Sequence, residues 1–336
     1  MSDREKPVVT FGEVLLRLSP PGQERLLQSP HLRAYWGGAE ANVAAGLAGL
    51  DTSAQLVTVL PHGPVGDAAI SALRAEAIDT SRVLRRGDRM GLYFVEPGAD
   101  IRPLRVVYDR ADSAFAQQSG DEFEWAAILG NARWLHLTGI SAALGDGPLR
   151  GVLSAVDAAQ SLGVPISLDL NFRPALWMGR DPKPIMQALA ARASLLIANP
   201  SAIEVMLGIR TAGTAPEPAD AVRQTIDAMH AAYGSMRIAI TQREVLSASR
   251  HVWQAYLWDA ANGALHHGGR HTVDVVDRAG GGDAFAAGLL HTLLAGASAI
   301  EAVRFATAAG ALKMTIPGDM NRVRGSEVTS LLTTLT

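Results

Sequence analysis

The sequence predicts an α/β fold on a mainly parallel sheet with a small second sheet, and three observations predict it. Short apolar, β-branched runs alternate with Ala- and Leu-rich stretches of helical length, which is the pattern of βαβ units. Two segments, 26–36 and 91–108, break that rhythm as extended runs punctuated by Pro and Gly, with no helix between paired strands. The 336 residues are 48% hydrophobic, enough to cover a sheet on both faces.

Each element follows from its own pattern. Residues 7–18 predict a buried strand that continues outward, 39–50 an Ala-rich helix, 54–60 a strand and 65–77 a helix. The rhythm resumes with strand 132–138, helix 148–162 and strands 164–170 and 195–198. Helix 220–233 and strand 236–241 follow. Tyr93-Phe94-Val95 and the run 104–108 have the aromatic alternation of antiparallel strands. They predict a β-sheet lid with strands at about 15–36 and 91–111, on one domain spanning 1–336. The stretch 215–219 is too short to be a linker.

Composition removes several function classes. The formal net charge of -3 argues against non-specific nucleic-acid or anionic-membrane binding, which needs concentrated positive charge. The absence of cysteine excludes disulfides, thiolate metal sites and cysteine nucleophiles. The polar start MSDREKPVVTFGEV has no apolar signal region. Apolar runs are interrupted well before the roughly 20 residues that span a bilayer. The expectation is a soluble, cytoplasmic protein. His266, His267 and His271 lack ligand spacing and a supporting carboxylate and read as solvated residues.

The sharpest feature is Asp277-Arg278-Ala279-Gly280-Gly281-Gly282-Asp283, directly before a helix whose Phe285, Leu289 and Leu293 share one face. Glycines let a backbone come close to a ligand. A helix start offers unpaired N–H groups and the positive end of its dipole, so the pair makes an anion site. Asp283 there caps the helix or takes a proton from an attacking hydroxyl, and the two roles are compatible. No Lys-Ser/Thr follows the glycines, and Gly280-x-Gly282 has no Gly at the third position after it, so this is neither a Walker A loop nor a dinucleotide fingerprint. A second turn, Gly37-Gly38, precedes the Ala-rich helix, where backbone N–H groups and Asn42 could hold sugar hydroxyls.

At these residues the chain resembles the ribokinase-like, PfkB-type carbohydrate kinases. GGAEANVAAGLAGL near the start and DRAGGGDAFAAGLL near the end correspond to the two family signatures, in order. FGEVLLRLSP, YDRADSA, LDLNFRPALW, TQREVLSASRHVW and KMTIPGDMNRV look most like the 2-keto-3-deoxygluconate (KDG) kinases of that family. The resemblance implies a three-layer, Rossmann-like domain with a β-sheet lid. It implies ATP, Mg2+ and a monovalent cation as ligands. It further implies Asp283 as the base, with Gly280, Gly281 and Gly282 as the anion hole. The reaction implied is KDG plus ATP to the 6-phosphate plus ADP.

Nucleotide contacts carried over by the resemblance are Asn199, Thr241, Arg243, Gly280 and Gly282. The chain departs from the family in two places. The usual Asn-x-x-Glu keeps Asn199 but has Ala202 at the Glu position, which leaves Glu204 and Asp277 as metal candidates. Gln242-Arg243 replaces the usual Gly after the nucleotide-contacting strand.

A sugar acid needs a cation, and the planar fork of Arg matches a carboxylate. Arg173 lies just past a strand's carboxyl end, where open α/β sheets bind ligands, and Arg110 ends a lid strand. With Gly37, Gly38, Asn42, Tyr93, Tyr108 and Asn171 they form the expected sugar site, and Arg17 reads as structural. The alternatives are a fructose-type or other sugar-acid kinase and a non-catalytic sugar-binding regulator. The apolar lid predicts a homodimer through that sheet.

Overall fold

The computed structural model describes residues 6–211, 219–234 and 236–334. The extreme N-terminus and most of the 215–219 stretch lie outside them. The strands are β1 (Val8–Phe11), β2 (Leu15–Ser19), β3 (Arg33–Gly37), β4 (Ala54–Leu60), β5 (Val83–Arg85), β6 (Gly91–Glu96) and β7 (Arg105–Asp109). They continue as β8 (Trp134–Thr138), β9 (Ile166–Asp169), β10 (Leu195–Ala198), β11 (Arg237–Ser247), β12 (Arg250–Asp259) and β13 (Ala264–Asp274).

Nine strands form one sheet in the order β13-β12-β11-β10-β9-β8-β1-β4-β5. Pairing is parallel from β5 to β11 and antiparallel for β11–β12 and β12–β13. The period-2 alternation of side chains builds a core on each face. On β10, Leu196 and Ala198 join a core under the helices Asp146–Leu162, Lys183–Ala190 and Ala219–Tyr233, whereas Leu195 and Ile197 join the opposite one. That second core is covered by Ala39–Gly49, Pro64–Ala75, Gly281–Leu294 and Ala299–Lys313. Burial on both faces explains why the strands read as continuous apolar runs. Among the described residues no helix is long and apolar enough to cross a membrane.

The small sheet has the order β3-β2-β6-β7. β2–β3 and β6–β7 are antiparallel, as expected, but β2 and β6 pair in parallel. The expected single strand 7–18 is two strands in two sheets. Gly12 stands at the break: a Cβ there would lie 2.1 Å from Oε2 of the buried Glu40, so a larger residue would have to displace that side chain. The extended run expected from residue 26 pairs only from Arg33 onward. β12 and β13 are additions the sequence reading lacked.

Candidate active site

A cavity of about 670 Å³ opens between the carboxyl ends of the central strands and the small sheet. Of the expected residues, Gly38, Asn42, Tyr93, Tyr108, Arg110, Asn171, Arg173, Asn199, Thr241, Arg243, Gly280, Gly282 and Asp283 line it. Four do not. Gly37 packs beside Asp319, and Gly281 turns toward Met314. Glu204 accepts hydrogen bonds from the backbone N–H and hydroxyl of Thr211 at 3.0 and 2.9 Å. Asp277 is buried and pairs with Arg17 at 2.7 Å while accepting the N–H of Gly318 at 3.0 Å. Both metal candidates are thus occupied by protein partners, and no group of three or more metal-ligating side chains occurs among the described residues.

Two glycine turns fix the floor. Gly280 caps the helix Gly281–Leu294 in the left-handed region at φ +77°, where a Cβ would lie 1.9 Å from the carbonyl oxygen of Asp319. Gly38, at φ +130°, would place a Cβ 2.1 Å from the carbonyl oxygen of Glu13. Only glycine fits either position. Beyond Gly282 the space is open, so the first N–H groups of the helix face the cavity without a side chain in the way.

Asp283 sits in the first turn of that helix, buried. Its Oδ2 accepts a hydrogen bond from Nδ2 of Asn42 at 2.7 Å. Burial pushes its pKa up to about 6, against the pull of Asn42 and Arg173. Asp169, at the end of β9, was not among the expected residues. Burial and the neighbouring Asp283 raise it to about 7, while the N–H of Asn171 and Arg173 oppose the shift. Glu40 is enclosed too, and burial raises its pKa although Thr138 and Ser141 donate to it at 2.7 and 2.8 Å.

The arginines divide into two sets. Arg110 lines the cavity but is bound to Glu13, with Nε at 2.8 Å and Nη2 closer. Arg17 is buried and bound to Ser19, Asp319 and Asp277, the structural place expected of it. Tyr93, whose hydroxyl donates to Asp319, belongs to the same cluster and stacks on Tyr108 at 6.0 Å. In contrast, Arg173, Arg243 and Arg278 line the same cavity with no carboxylate within salt-bridge distance among the described residues. Burial, then Arg278 and Arg173, bring the pKa of Arg243 down to about 10. Burial and Arg173 lower that of Arg278 as well. Together the three arginines form a positive wall beside the Gly280 turn. Asn199 caps the short helix Pro200–Ala202 by accepting the N–H of Ala202 at 2.9 Å, and Thr241 reaches the carbonyl of Ala198 at 3.4 Å.

Residues 5–324 match the pfkB family carbohydrate kinase description. The crystal structure of a 2-dehydro-3-deoxygluconokinase from Thermotoga maritima is 39% identical, covers 98% of each chain and superposes with a TM-score of 0.93. A 2-dehydro-3-deoxygalactonokinase from Haloferax volcanii is 30% identical over 97% of this chain and 96% of its own. A 2-dehydro-3-deoxygluconokinase from Thermoproteus tenax is 27% identical over 93% and 89%. The large, mostly parallel sheet with its separate small sheet is the ribokinase-like arrangement expected from the signatures. With both signature turns in place at one cavity, the chain belongs to the pfkB family of carbohydrate kinases.

Proposed function

We propose that this protein transfers the γ-phosphoryl group of ATP to the 6-hydroxyl of a 2-keto-3-deoxy sugar acid of the KDG type. The observation that carries the reading is Asp283: a buried carboxylate in the first turn of a glycine-capped helix, held by Asn42. It is where a general base for an attacking hydroxyl has to be, beside the N–H groups that meet phosphoryl charge. The hydroxyl oxygen forms the new bond to phosphorus, the bond to ADP breaks, and Asp283 receives the proton. The second support is the positive wall of Arg173, Arg243 and Arg278. We assign Arg173 to the substrate carboxylate, and Arg243 and Arg278, with the helix start, Asn199 and Thr241, to the nucleotide. The names of the similar kinases, differing in gluconate or galactonate configuration, favour a sugar acid over a fructose-type sugar.

A magnesium ion bound with the nucleotide would neutralise phosphate charge, and one or two carboxylates of this chain would suffice to hold it. Glu13 and Asp319 are engaged by arginines and Glu40 by hydroxyls. That leaves Asp169 as the cavity carboxylate for it, in place of Glu204 and Asp277. The monovalent cation stays outside this proposal. A regulator without turnover has no use for a base at Asp283.

The test is ADP release over KDG, its galactonate-derived epimer, fructose and ribose, in wild type and Asp283→Asn. The sugar acids should turn over fastest, and the variant should lose at least about 10²-fold in kcat with little change in sugar affinity. The wild-type kcat/KM should fall as pH drops below about 6, because the base works only when deprotonated. Near-wild-type turnover of Asp283→Asn would contradict the assignment, and a preference for fructose would overturn the substrate. We also propose a homodimer through the lid, where all five residues of β7 are exposed, Val106 and Val107 among them. A monomeric mass by light scattering above micromolar concentration would count against it.

A further inference from the structure

Lys313 is the last residue of the helix Ala299–Lys313, where a lysine ordinarily extends its head into water. Here the side chain is fully buried. Its Nζ donates to the carbonyl of Ile316 at 3.1 Å. Its Cε lies 3.2 Å from where a Cβ on Gly280 would be, directly behind the glycine turn. The chain next to it is clipped to the strand exit that leads into that turn: the N–H groups of Val276 and Asp277 both donate to the carbonyl of Met314, at 2.9 and 3.1 Å.

The charges around this lysine are Asp277, Asp319, Arg17 and, through the turn, Asp283. Asp277 and Asp319 are two buried carboxylates served by one guanidinium, that of Arg17. With Lys313 the cluster is neutral, and without it one buried negative charge is left over. Burial lowers the lysine's pKa, while Asp277 and Asp319 hold it up and Arg17 opposes them. A surplus carboxylate beneath an anion site would repel the phosphoryl group that the site is built to hold.

We propose that Lys313 is a positioning residue for phosphoryl transfer: its enclosed ammonium braces the Gly280 turn from behind and cancels the negative charge beneath it. The inference rests on the reading of Asp283 as the base. The lysine touches neither substrate, so it acts through the turn and through Asp283. Around Asp283 the other facing groups are Asn42, Arg173, Glu40, Asp319 and Asp169, and the substitution of Lys313 alters none of these residues themselves.

The experiment is Lys313→Met, which keeps the length and removes the charge, compared with wild type over pH 5–9. Loss of one charged hydrogen bond predicts a fall in kcat of about 10-fold or more, with the KM for the sugar acid within about twofold. The acid limb of the rate should move to higher pH, because Asp283 loses a cation that favours its charged form. Wild-type kcat with an unmoved limb overturns the inference, whatever happens to the melting temperature. Where Lys313→Met does not fold, Lys313→Ala prepared with propylammonium replaces it. A kcat that rises with amine concentration supports the proposal, and an amine that restores the fold but not kcat overturns it. A wild-type enzyme with no kinase turnover would instead remove the functional reading beneath it.

Discussion

Arg110 from the lid and Arg173, Arg243 and Arg278 line one cavity, and Arg17 lies buried behind it, yet the two sets are used in opposite ways. Arg17 and Arg110 reach from the lid and its exit into buried carboxylates: Asp277 and Asp319 for one, Glu13 for the other. Arg173 stands just past the carboxyl end of β9, Arg243 within β11 and Arg278 before the Gly280 turn, with no carboxylate bound to them among the described residues. Like charges held together with no carboxylate at salt-bridge distance cost stability, and such clusters are found where a site has a use for them. The lid cations are paired with buried carboxylates, whereas those beside the Gly280 turn are left for the ligands of the proposed reaction. Proximity to a cavity therefore does not make an arginine a ligand contact. Its existing partners decide.

The largest effect that would break this comparison is on stability. Arg110→Ala leaves Glu13 buried with, among the described residues, only Ser113 donating to it, and uncompensated charges of that kind cost about 3–5 kcal/mol. Urea unfolding should show that loss. A variant as stable as wild type would mean that the pair does not brace the lid. A smaller effect is expected at the other end. Arg243→Ala should leave unfolding unchanged or slightly improved, because it relieves repulsion with Arg278 and Arg173. Its KM for ATP should rise about 10-fold or more, the equivalent of one charged hydrogen bond. Destabilisation without a change in KM would place Arg243 with the structural set.

The sequence made the glycine turns and Asp283 legible because their chemistry is local. A run of glycines before an amphipathic helix predicts a close backbone approach and a helix N-terminus, and both are found. What pairs with what was not legible. Arg110 and Glu13 are 97 residues apart, and Arg17 and Asp319 are 302 apart, so only the folded chain shows that Arg110 arrives at the cavity already neutralised. Asp169 was not legible either, since its raised pKa comes from burial and from Asp283, and the two meet only when the end of β9 is brought to the start of the helix Gly281–Leu294. β12 and β13 had readable signals in part. The alternation of Tyr256 and Trp258 on one face marks a strand, but Gly268-Gly269 interrupts the pattern of β13. At Gly268 a Cβ would meet the Thr307 hydroxyl at 2.1 Å, so that glycine serves the packing of the sheet on a helix and does not end the strand.

The most direct test of the division between spent and free arginines is kcat/KM for KDG and for a neutral sugar of similar size, in wild type and in Arg173→Ala. Removing a free cation that binds the substrate carboxylate should cost about 10- to 150-fold for KDG, the equivalent of about 1.5–3 kcal/mol. The loss for the neutral sugar should be much smaller, and the unfolding curve should be unmoved. Arg173→Lys should recover only part of the loss, because an ammonium does not reproduce the planar fork. Equal losses for the acid and the neutral sugar, or a loss of stability in place of a loss of rate, would contradict the account.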